Sequence, residues 1–156
     1  MDIFDLDTKG PQEDGAFMHM THTKYGFPLY TGPNADKHGR WINADEEPDE
    51  KFAVGFMIRG NESKTVQDCI RKQKRVTAAN ARKSVPIPDD ELFEEAGVKF
   101  ACALILSFVN LERDGEPLEA TEENKRWFIG LSDDIGKQVT RFAKVADNFF
   151  ENLLSN

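Results

Sequence analysis

The chain has 156 residues, about one domain's length, with 39% apolar residues, 31% charged residues and twelve Phe. That composition excludes a disordered chain and supplies a core that needs no disulfide or metal to hold it. A net charge of −8 disfavours general nucleic-acid binding, because an acidic surface repels phosphate at long range.

The opening MDIFDLDTKG lacks a basic start followed by an apolar run, so no secretory signal is expected. The longest near-apolar stretch, Ala96 to Val109, contains Lys99 and is too short to span about 30 Å of hydrocarbon. Cys69 and Cys102 suit a reducing compartment, where they pack as small hydrophobes. These features predict a soluble protein of the cytosol. Residues 1–50 carry 4 basic and 11 acidic side chains, residues 51–100 carry 10 and 7, and residues 101–156 carry 6 and 10. Only the middle segment is basic.

Residues 1–60 read as strand and loop. Phe17 to Thr23 is a predicted strand, followed by a turn at Lys24-Tyr25-Gly26 and a return through Phe27-Pro28-Leu29-Tyr30. Pro28 confines that return to an edge or a strand start. Residues 31–50 form a long acidic loop, with Arg40-Trp41-Ile42 as a short edge strand. Phe52, Val54, Phe56 and Ile58 alternate with smaller or polar neighbours, the period-two pattern of a half-buried strand that ends at Gly60.

From residue 61 the period becomes helical. Asn61 or Ser63 caps a predicted helix to about Lys83, and Ser84-Val85-Pro86-Ile87-Pro88 ends it. Asp89 then caps a helix predicted to run from Asp90 to Arg113, apolar nearly all round from Ala96 to Val109 and so expected in the centre of the fold. Thr121 caps a short helix bearing Trp127, Phe128 and Leu131. A last helix carries Ile135, Val139, Phe142, Ala146, Phe149 and Leu153 on one stripe.

No arrangement of reactive residues emerges. Asp5 to Gly10 begins like a calcium loop, but Lys9 and Ala16 occupy two ligand positions. His19 and His22, three apart on a strand, face opposite ways and cannot share a metal. No phosphate-binding glycine loop, nucleophile elbow or metalloprotease helix is present. The expectation is therefore no enzyme, no cofactor and no metal site.

Two groups of residues are candidates for binding a partner. Arg71, Lys72, Lys74, Arg75, Arg82 and Lys83 form one basic cluster, either a patch for phosphate or an acidic partner, or a solvated helix face. No aromatic residues interleave with them to stack bases. Trp127, Phe128, Phe149 and Phe150 form either core or an exposed docking patch, Phe150 lying about 100° around the helix from Phe149.

The order of features carries a resemblance. MDIFDLDT, Gly26-Phe27-Pro28-Leu29-Tyr30, a strand ending at Gly60, a basic helix and an apolar helix are followed by Asp114-Gly115-Glu116-Pro117-Leu118 and Thr121-Glu122-Glu123-Asn124. The chain then continues with Ile135-Gly136-Lys137-Gln138-Val139 and Ala146-Asp147-Asn148-Phe149-Phe150. In this it resembles the small tail proteins of tailed bacteriophages and prophages described as tail assembly chaperones. It departs from them in the acidic loop at residues 33–50 and in having Phe108 where relatives often carry Trp. The resemblance implies a non-enzymatic role in the bacterial host cytoplasm, binding a helical tape-measure or other tail protein and keeping it soluble until the tail tube polymerises. The candidate partner-binding residues are Trp127, Phe128, Phe149, Phe150, Arg71, Lys74 and Arg75, with self-association as a second expectation.

The fold expected is α+β: a small antiparallel sheet from residues 15–60 packed against three to four C-terminal helices. Residues 1–60 would form a β and loop subdomain and residues 61–156 a helical one, folding together as one cooperative domain. Beside the chaperone stand a structural minor tail protein retained in the virion and a nucleic-acid-associated regulator using Arg71 to Lys83.

Overall fold

The alternation at residues 54–58 produces the middle strand of the sheet. The computed structural model of the chain describes residues 1–150. Strand β1 (Ala16–His19) pairs antiparallel with β2 (Gly55–Ile58), which pairs antiparallel on its other side with β3 (Ile105–Val109). Successive side chains along a strand fall on opposite faces, and cross-strand partners share one. Met18, Phe56 and Phe108 are in register on the face turned to the core, whereas Phe17, Met57 and Ser107 share the outer face.

The helices follow their capping signals. Helix α1 (Lys9–Asp14) precedes β1. Ser63 accepts from the Val66 amide at the start of α2 (Lys64–Ala81), and Thr121 accepts from the Asn124 amide at the start of α4 (Glu122–Ile129). Ser132 caps α5 (Asp133–Ala143) through the Asp134 amide. Each satisfies an amide that the first helical turn leaves without an internal partner. Helix α3 (Asp89–Leu104) starts one residue earlier than expected, on Pro88, with Asp89, Asp90 and Glu91 in its first turn.

The fold is α+β, with a small antiparallel sheet and mostly C-terminal helices, as expected. The return expected at Phe27–Tyr30 and the edge strand expected at Arg40–Ile42 form only isolated bridges, at Pro28, Tyr30 and Trp41, and two helix ends are corrected. The helix predicted to reach Arg113 ends at Leu104, and Ile105 to Val109 continue as β3. A continuous apolar run does not distinguish a buried helix from a buried strand. Here pairing decides it, because without β3 the second edge of β2 would bury unpaired backbone beside Phe56 and Ile58. The sheet thus takes its third strand from well beyond residue 60. The last helix stops at Ala143, and a 3₁₀ turn at Ala146–Phe149 still delivers Phe149 to the interior. Leu153, the expected end of that stripe, lies outside the described residues.

The core sits between the inner face of the sheet and helices α4 and α5. Phe56, Phe108 and Phe128 form a triangle with ring centroids 5.5–5.6 Å apart, closed by Ile58, Leu104, Ile105 and Val139. Gln138 on α5 caps the sheet margin with its side chain: its amide accepts from the Thr21 N–H at 2.9 Å and donates to the Thr21 carbonyl at 3.0 Å. A short hairpin, β4 (Glu112–Arg113) and β5 (Glu116–Pro117), links β3 to α4.

Helices α2 and α3 pack on each other as a hairpin. Their buried side chains cluster at the base (Val66, Ala101, Cys102 and Leu104), whereas the tip from Arg82 to Pro88 is exposed. The exception is Asn80, whose side chain donates to the Ile87 carbonyl at 3.0 Å and accepts from the Ile87 amide at 2.9 Å. It closes the tip.

Two glycine substitutions should act in opposite directions. A Cβ at Gly55 would stand 1.9 Å from the Met18 carbonyl oxygen, so Gly55→Ala should destabilise the fold by about 3 kcal/mol. Nothing lies within 4 Å of a Cβ at Gly97, in the middle of α3, so Gly97→Ala should stabilise by about 0.5–1 kcal/mol. Urea unfolding midpoints with unchanged slope check both.

Candidate partner-binding surfaces

Helix α2 carries most of the basic residues, and at 100° per residue it distributes them around its axis. Arg71 lies beside Lys9, Glu62 and Lys64 against α1 and is ion-paired with Asp68. Lys74 flanks a groove on one side of the hairpin, and Arg75 lines a cleft on the other. The structure therefore does not bring Arg71, Lys74 and Arg75 together as one patch.

The aromatic group is divided too. Phe128 and Phe149, expected as candidates for a partner surface, are core residues: Phe128 completes the aromatic triangle, and Phe149 packs edge-on against Phe142 at 5.7 Å. Phe150 is half-buried. Trp127 remains 38% exposed, with the Arg113 guanidinium 4.0 Å above its ring. That stacking already occupies one face of the indole.

Three concave surfaces take the place of the expected patch. The first is a groove of about 460 Å³ between α2 and α3, lined by Ile70, Thr77, Phe93, Ala96, Gly97 and Phe100, with Lys74 at its side. Phe93 is 84% exposed. Its signal was present in the sequence, since Phe93, Gly97 and Phe100 fall at i, i+4 and i+7 on one helix face. The acidic run Asp89-Asp90-Glu91 and Glu94-Glu95 around it marks that part of α3 as solvated, not central.

The second is a cleft of about 780 Å³ on the opposite side of the hairpin, floored by Cys69, Val76, Cys102 and Ala103. Its walls carry Arg59, Lys72, Arg75, Lys99 and Lys125 against two carboxylates, Asp68 and Glu122. Arg59 donates from Nη1 to the Ala103 carbonyl at 2.9 Å, and its Nε lies 3.5 Å from Glu13. Burial, with the Arg59 charge adding to it, holds the Lys125 ammonium below its ordinary range. Burial also raises both thiols, Cys102 to about 11, so neither is a thiolate nucleophile at neutral pH.

The third, of about 820 Å³, covers the outer face of the sheet, where Phe17, Met57 and Val109 meet Tyr30 and the acidic loop at Glu47 and Glu50. His19 there lies with Nε2 2.7 Å from the Leu29 carbonyl oxygen, and His22 accepts at Nδ1 from the Lys24 amide. Among the described residues no three His, Cys, Asp or Glu are grouped to hold a metal ion, and no helix is long and apolar enough to cross a membrane.

Comparison with protein-family models, with curated proteins and with solved structures finds no match to the chain.

The thiols give one check of this electrostatic picture. In the native protein at pH 8, iodoacetamide should label Cys69 before Cys102, and Cys102 should react at the rate of a free thiol only in denaturant. A second check is Glu13, whose carboxyl burial pushes up but which the Thr65 N–H and O–H and the Arg59 charge pull further down. A carboxyl lowered on folding stabilises the fold above its unfolded value of 4.5 and loses that contribution as pH falls through its lower folded value. Glu13→Gln should therefore lower the melting temperature at pH 7, with the gap from the parent closing below pH 4.5.

Proposed function

We propose that the chain is a non-enzymatic chaperone of phage tail assembly, acting in the host cytoplasm by holding an apolar helical segment of the tape-measure protein in the α2–α3 groove. The observation that carries this reading is the groove itself: Ile70, Ala96, Gly97 and Phe100 form an apolar trough, with Phe93 projecting at 84% exposure. A soluble molecule that leaves a large aromatic in water beside such a trough has the parts of helix-in-groove recognition, in which an amphipathic helix lays its apolar stripe between two others. Gly97 supports it by keeping the floor low, since a Cβ there meets nothing. The net charge of −8 keeps the complex soluble while apolar area is engaged.

A structural tail protein retained in the virion would use the same groove, and mass spectrometry of purified particles separates the two: stoichiometric recovery excludes the chaperone. A nucleic-acid regulator receives no support from the scatter of Arg71, Lys74 and Arg75 over three surfaces.

Co-expression with the tape-measure protein tests the reading. The parent chain should keep the client soluble and co-purify with it. Phe93→Glu and Gly97→Leu should each weaken binding at least tenfold, about 1.4 kcal/mol, without lowering the melting temperature. Trp127→Ala should leave client binding unchanged. Equal binding by Phe93→Glu would reject the groove.

A further inference from the structure

Two features of the chain are uncompensated and of opposite sign. The first is the arm at residues 1–7. A 3₁₀ turn at Ile3–Leu6 leaves Ile3, Phe4 and Leu6 exposed at 74%, 77% and 67%, interleaved with Asp2, Asp5 and Asp7. The arm is preformed: the Phe4 amide donates to Asp2, and the Lys9 and Gly10 amides donate to Asp7. It is an acidic, apolar peptide with its apolar side chains in water.

The second is the cleft above Cys69, Val76 and Cys102. Its two carboxylates point to cations outside it, Asp68 to Arg71 and Glu122 to Arg126. Among the described residues Lys72, Arg75, Lys99 and Lys125 make no ion pair. Five basic side chains against two carboxylates thus line an apolar floor in a molecule of net charge −8. Such a concavity selects a ligand with apolar side chains flanked by carboxylates.

We propose that this cleft receives the arm of a second copy of the chain, with Phe4 and Leu6 on the apolar floor and the aspartates against Lys72, Arg75 and Lys99. In the structure the arm is not seated in its own cleft: Thr8, at its root, donates to Glu62 beside Lys64 and Arg71, and Ile3, Phe4 and Leu6 remain exposed. A seven-residue arm reaches at most about 25 Å, enough to cross to a neighbour. Reciprocal exchange of two arms between two clefts closes a two-fold dimer and leaves neither feature open. This inference does not rest on the client reading, because the groove with Phe93 lies on the opposite side of the hairpin.

Sedimentation of the full chain over a range of concentrations tests it. The parent should show a monomer–dimer equilibrium that weakens with salt. Phe4→Ser with Leu6→Ser should weaken dimerisation at least tenfold, and so should the arm reversal Asp2→Lys with Asp5→Lys. The cleft reversal Lys72→Glu with Lys99→Glu should also be monomeric alone. Mixed together, the two reversed variants should associate, since each then offers a complementary arm and cleft. Unchanged melting temperatures would show that all variants fold. A parent that stays monomeric at every concentration, a dimer indifferent to arm reversal, or no association in the mixture would each overturn the proposal.

Discussion

The packing of three rings, Phe56 from the middle strand, Phe108 from the third strand and Phe128 from α4, ties the parts of this protein together. Each comes from an element that cannot stand alone. A short three-stranded sheet needs one covered face, and an eight-residue helix needs a surface to lie on. With centroids 5.5–5.6 Å apart in tilted and edge-on arrangements, the rings supply both. Gln138 adds the polar counterpart by pairing both backbone groups of Thr21, so that α5 is fastened to the sheet margin by hydrogen bonds as well as by contact.

Much of this arrangement was legible in the residues. The alternation ending at Ile58, the hydroxyl caps at Ser63, Thr121 and Ser132, and the stop at Ser84 to Pro88 are local signals, and the elements they mark exist. The strand at Ile105–Val109 was not legible, because nothing local separates the end of a buried helix from the start of a buried strand. Its identity is settled by a pairing partner about fifty residues upstream in β2. The mistaken end of the last helix has a similar cause: a stripe at helical spacing continues through a 3₁₀ turn that keeps Phe149 pointing inward.

The candidate surfaces show the same division between local and non-local information. Charge counting found the basic helix but not that its cations face three ways, a consequence of helical geometry applied to closely spaced residues. Ring counting singled out Phe128 and Phe149, which the core needed, and passed over Phe93, which it did not. The acidic neighbours of Phe93 carried the missing information. A large aromatic among carboxylates at the start of a helix is an outward-facing residue, whatever the apolar character of the turns that follow.

The join between the hairpin and the sheet has a mechanical meaning. Leu104 is the last helical residue of α3 and Ile105 the first residue of β3, with no loop between them to absorb displacement. Asn80 clasps the far end, tying the end of α2 to the segment that leads into α3. Load applied near the tip is thereby transmitted as leverage onto the central strand, whose register already breaks between Met57 and Ile58. Displacement of the hairpin tip and the integrity of the sheet beneath it are two ends of a single lever.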